Sequence, residues 1–151
     1  MKNFLVILLV LMWFMFISCK KQEINSESNA QWANCRDKND KNNTFLKMIG
    51  KWKLVAIGCS FCTNPGIKNI TEQIEIVILN DSTVQTYKDK NLILTSKFVL
   101  EDSYNPDYFK LVTIPANKNY YTYGVIELCD NKLAFKNSYV DGGDYFFESI
   151  K

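Results

Sequence analysis

Cys19, Cys35, Cys59, Cys62 and Cys129 are the side chains best suited to chemistry in this 151-residue chain, which contains no histidine. The closest pair is Cys59-Ser60-Phe61-Cys62. Thiol–disulfide enzymes place Cys-X-X-Cys after a strand and at the start of a helix, where the helix terminus favours the thiolate. Here the pair leads into Thr63-Asn64-Pro65-Gly66, a turn sequence. That context favours a structural staple over redox exchange or metal binding. Without histidine, Ser-His-Asp and Cys-His nucleophile systems, His-ligated zinc and an imidazole pH switch are excluded. Glu75 and Glu127 are spaced as a conceivable acid–base pair. Each lies between aliphatic neighbours (Ile74 and Ile76, Ile126 and Leu128), so alternation turns both to solvent. Asp141-Gly142-Gly143-Asp144 offers two carboxylates around a tight turn, too few oxygens for calcium. The sequence therefore predicts no catalytic residue, no metal site, no cofactor and no enzyme.

The elements that position these residues are strands. From Gly50 onward, eight strand-like runs alternate with turn signals. They cover 51–57, 73–79, 83–88, 92–100, 108–114, 120–129, 132–136 and 144–150. Ile74, Ile76 and Ile78 share one face of the second run. Asn80-Asp81, Asp89-Lys90-Asn91 and Asp130-Asn131 mark tight turns. Connections this short make sequence neighbours pair antiparallel. Eight such strands favour an all-β, eight-stranded antiparallel up-and-down barrel, because closure removes exposed edges. A sandwich is the main rival, but it needs a long crossover, and Gly58 to Thr71 is the only long connection. A short helix over Thr44 to Ile49, capped by Thr44 and ended by Gly50, precedes the first strand.

The remaining chain divides into two segments. Lys2 and an unbroken apolar run from Phe4 to Ile17 form a secretory-type signal, too short at 14 residues to span a bilayer. Residues 20–43 are rich in Asn, Ser, Lys, Asp and Glu without periodicity, the composition of a flexible tether. Charge is nearly balanced, with 18 basic and 16 acidic residues, and no basic stripe emerges. Nucleic acid is not an expected partner.

Phe16-Ile17-Ser18-Cys19 resembles the lipobox of bacterial lipoproteins. The resemblance implies cleavage before Cys19 and a lipid anchor on it. It divides the chain into a signal (1–18), a tether (19–43) and a barrel domain (44–151), with the outer membrane as the expected location. Gly50-Lys51-Trp52 after a short helix looks like the Gly-X-Trp start of lipocalins. The chain is similar to small lipocalin-like lipoproteins of Gram-negative bacteria. The shared parts are Gly50-Lys51-Trp52-Lys53-Leu54-Val55, Ile74-Glu75-Ile76, Tyr87 to Leu92, Ile126 to Leu133 and Tyr139 to Glu148. The resemblance implies a lipocalin-like barrel with Gly50 and Trp52 plugging its closed end. Lipocalins pair this Trp with a C-terminal Arg, for which Lys151 is the available substitute.

With Cys19 lipidated, four cysteines remain. In the barrel, Cys59 and Cys62 fall at the open end and Cys129 at the closed end, where the segment carrying Cys35 enters. A strand of six residues spans about 20 Å, so the expected pairs are Cys59–Cys62 and Cys35–Cys129. Phe61, Tyr120, Tyr121 and Tyr139 lie beside mouth loops and are the candidate ligand-binding residues. The leading expectation is non-catalytic binding of a small hydrophobic or amphipathic molecule. The alternatives are an interaction module docking on an envelope protein, and a thiol-redox protein using Cys59 and Cys62.

Overall fold

A single antiparallel sheet closes on itself as an eight-stranded barrel in the computed structural model, which describes residues 40–59, 66–115, 120–138 and 142–150. The chain enters through helix α1 (Lys41–Met48). The strands are β1 (Gly50–Cys59), β2 (Gly66–Asn69), β3 (Ile74–Ile78), β4 (Thr83–Lys88), β5 (Asn91–Asp102), β6 (Phe109–Ile114), β7 (Gly124–Cys129), β8 (Lys132–Lys136) and β9 (Asp144–Ile150). β2 and β3 follow one another along the same edge of β1, opposite Ala56–Cys59 and Gly50–Lys53 respectively. Together they occupy one position in the wall. β9 takes the other edge of β1, from Lys51↔Ile150 to Gly58↔Asp144, and completes the ring.

The turns form where the sequence marked them, each with its own strained residue. Asp89 and Lys90 both adopt positive φ, the requirement of the two-residue hairpin whose twist matches its strands. Ser82 (φ +58°) completes a three-residue loop closed by Leu79 N–H donating to Thr83 O at 2.9 Å. Asp130 takes φ +45° between β7 and β8.

Three local expectations are corrected. The helix begins at Lys41, because Asp40 is the cap and accepts from the Asn43 N–H at 2.9 Å. Thr44 lies inside the helix and is buried. Residues Tyr120–Thr122 form a 3₁₀ turn, not the start of a strand. β7 begins only at Gly124, whose φ is +135° and where a Cβ would sit 2.5 Å from the Lys136 carbonyl oxygen. That close approach requires glycine. The long connection after β1 also contains a strand of its own, β2.

Alternation builds the core. β3 buries Ile74, Ile76 and Ile78 on one face. The same inner face takes Trp52, Leu54, Phe98, Leu111, Leu133, Phe135 and Phe147. Burying each such side chain contributes about 1.5–3 kcal/mol. α1 closes one end, with Phe45 against Phe98 at 6.0 Å between ring centroids. The Trp52 indole N–H donates to the Met48 carbonyl oxygen at 2.8 Å, tying the last helical turn to β1.

Candidate functional site

The inner wall is not uniformly apolar. Four consecutive positions around it carry buried hydroxyls: Thr86 on β4, Ser96 on β5, Thr113 on β6 and Thr122 in the 3₁₀ turn. Register sets them side by side. Thr86 opposes Leu94, two residues from Ser96. Thr113 opposes Phe98, two residues from Ser96 on the other side. Thr122 precedes Gly124, which opposes Leu111, the inward residue next to Thr113. Same-face diagonal neighbours in a sheet lie about 7–8 Å apart, so the four form one arc across half the wall.

Two members of the arc are unsatisfied. Ser96 Oγ and Thr122 Oγ1 are buried and have no hydrogen-bond partner among the described residues, whereas Thr86 and Thr113 are engaged. An unmet buried polar group costs about 1–3 kcal/mol. A group that donates or accepts there recovers this energy, and the surrounding wall of Ile, Leu and Phe accepts only apolar matter.

Above the arc, the open end is lined by rings and one ion pair. Tyr121 meets Tyr145 edge-on, centroids 5.4 Å apart, and both rings pack on the core. Lys88 Nζ lies 3.2 Å from Glu72 Oε2. That carboxylate, with a smaller contribution from nearby Tyr121, holds the Lys88 ammonium above the usual lysine range. Asp144 organises the adjoining loop. Its Oδ1 accepts from the Asn137 and Ser138 N–H groups at 2.8 Å each, and Oδ2 from Ser138 Oγ at 2.9 Å. This explains Asp144 as a turn-former, and no cluster of three metal-ligating side chains occurs among the described residues.

The residues singled out from sequence divide by end. Gly50 (φ +142°) and Trp52 stand at the closed end, where the Met48 carbonyl oxygen accepts from the indole N–H. Tyr121 is at the open end, and Tyr120 shares its turn. Cys59 ends β1 opposite Gly66. Cys129 ends β7 at the closed end, paired with Lys132. Cys19, Cys35, Cys62, Phe61, Tyr139 and Lys151 lie outside the described residues. Glu75 and Glu127 stand on β3 and β7, on the outer face, and Glu127 pairs with Lys136 at 3.4 Å. The hydroxyl arc was missed by sequence reading, because a threonine among strand residues declares its face only once the register is known.

No family model matches the chain, and neither a curated relative nor a solved structure shows significant similarity to it.

Proposed function

We propose that this is a membrane-anchored lipoprotein, lipidated at Cys19, whose lipocalin-like barrel binds a small amphipathic molecule without catalysis. The observation that supports the reading is the arc with two hydroxyls, Ser96 and Thr122, that have no partner among the described residues and are set in an apolar wall. The ligand's apolar part packs on the inner wall and its polar group meets the arc, beneath Tyr121 and Tyr145. Pockets that combine apolar lining with a few placed polar groups are the usual form of a small-molecule site.

Native mass spectrometry of the protein purified from its own host is the test. The expected result is an adduct of constant mass that is lost on denaturation and depleted in the double variant Ser96→Ala, Thr122→Val. A bare mass in every preparation overturns the reading. Cys19→Ser is expected to release the protein from membranes; retention of that variant overturns the anchor.

A second reading rests on the outer face. Ile93 and Val99 on β5 and Ile114 on β6 are exposed apolar residues. They suit docking onto an envelope protein. Co-purification of a stoichiometric partner, with no small-molecule adduct, would favour this reading over ligand binding.

A further inference from the structure

The open rim carries a cation on its inner side. Lys88 opposes Ile74, and Thr86 opposes Ile76. Residues directly opposite one another in a sheet share a face, and Ile74 and Ile76 belong to the core. The inner face of β4 therefore runs Val84, Thr86, Lys88 from the closed end to the open end. The first two are buried, whereas the Lys88 side chain is 44% exposed. Two residues along a strand span about 7 Å, so Lys88 stands one step above Thr86 and the hydroxyl arc. Long cationic side chains lay their stems along apolar surface and keep the charged head in water. Half exposure of Lys88 at the last position of β4 fits that arrangement.

Its partner comes from outside the wall. Glu72 belongs to the connection between β2 and β3, and its carboxylate lies 3.2 Å from the Lys88 ammonium. The Glu72 side chain is 56% exposed. An ion pair this open to water contributes little to stability, so it is readily exchanged. A carboxylate entering from the mouth makes the same contact and also buries its own apolar part, which Glu72 does not. Tyr121 is near enough to the ammonium to act on its charge, which sets the cation beside the Tyr121–Tyr145 ring pair. Beneath, Ser96 Oγ and Thr122 Oγ1 have no partner among the described residues. A cation at the rim, unmet hydroxyls below it and an apolar wall around them suit an acid better than a neutral or cationic amphiphile.

We propose, on the ligand-binding reading above, that the bound molecule is an amphipathic acid whose carboxylate takes the place of Glu72 on Lys88. One carboxylate replaces another, so the charge at the ammonium is met in both states. In the empty barrel Glu72 covers Lys88; in the filled one it turns to solvent. The ligand's apolar part passes Tyr121 and Tyr145 to the inner wall, and a neutral polar group on it meets the arc. Glu72 thereby acts as a built-in competitor for the head-group position.

Equilibrium dialysis of octanoate and octanol is the test. It uses the full mature protein in detergent, freed of host-derived adducts, with empty micelles as the blank. Octanoate is expected to bind, and Lys88→Met to weaken it by about three- to tenfold while leaving octanol unchanged. Glu72→Gln removes the competing carboxylate and is expected to tighten octanoate by about two- to threefold. Both side chains are about half exposed, so melting curves of the variants should match wild type. Octanoate binding untouched by Lys88→Met, or lost together with octanol binding, overturns the acid and leaves the ligand-binding reading standing. Binding of octanol alone does the same. Binding of neither probe overturns both. Weaker octanoate binding in Glu72→Gln overturns the exchange.

Discussion

The two halves of the barrel are built differently. In the half made by β8, β9 and β1, both faces of the wall are packed. Phe135, Phe147 and Leu54 fill the inside, and Ala134, Phe146 and Ala56 are buried outside. In the half made by β4, β5 and β6, hydroxyls line part of the inside, and Ile93, Val99 and Ile114 face solvent. One half is buried on both faces; the other carries unmet polar groups inside and exposed apolar side chains outside. Local stability follows the density of buried apolar contacts. The half made by β4, β5 and β6 is thus expected to open locally at lower cost than the half made by β8, β9 and β1.

The strongest way to break this contrast is to remove rings from the half buried on both faces. Phe147→Ala inside and Phe146→Ala outside are each expected to cost about 3–5 kcal/mol in denaturant unfolding. Val99→Ala in the other half is expected to change stability by less than about 0.5 kcal/mol. A Phe146→Ala cost as small as that of Val99→Ala would dissolve the distinction between the halves. Next in size is Gly124→Ala at the junction of β7 with the 3₁₀ turn. The positive φ alone makes the variant less stable by about 1–3 kcal/mol, and the Lys136 carbonyl adds to it. A melting curve unchanged from wild type would refute the close approach.

Smaller and of opposite sign is the effect of filling the arc with methyls. Thr122→Val or Ser96→Ala removes an unpartnered buried hydroxyl, so the free protein should be unchanged or gain up to about 1 kcal/mol. Ligand retention in the mass spectrum should fall at the same time. Loss of stability in both variants would mean that these hydroxyls are satisfied in the free protein.

The smallest effect is electrostatic. Lys97 donates to Asp81 Oδ2 at 2.8 Å and, with Thr83, holds the Asp81 carboxyl below the usual range. A lowered carboxyl pKa stabilises above its unfolded value and loses that contribution as pH falls through the folded one. The raised Lys88 pKa works the other way: its contribution is full below the ordinary lysine value and fades as pH rises through the folded one. Both pairs are solvent-exposed, so a plot of Tm against pH should be flat from about pH 5 to pH 10 and dip slightly outside. A step near neutrality would point to a titrating group that neither pair supplies.

Much of the fold was legible in the chain. The Ile74-Glu75-Ile76 alternation, the Asp89-Lys90 turn and Gly50-Lys51-Trp52 each carry a local rule that tertiary packing did not override. The helix start was not legible, because Asp40 and Thr44 are both good caps and burial of Thr44 decided between them. The 3₁₀ turn at Tyr120-Tyr121-Thr122 was hidden by β-prone residue types, and only the Gly124–Lys136 contact explains why the strand waits. The arc and the buried outer row depend on register across several strands. No single segment contains that information, since shifting any strand by one residue exchanges its inner and outer faces.

Trp52 bonded to Met48 and Lys51 paired with Ile150 bring both ends of the described domain to the same pole. The rim with Tyr121 and Tyr145 therefore stands at the pole opposite both ends of the described domain.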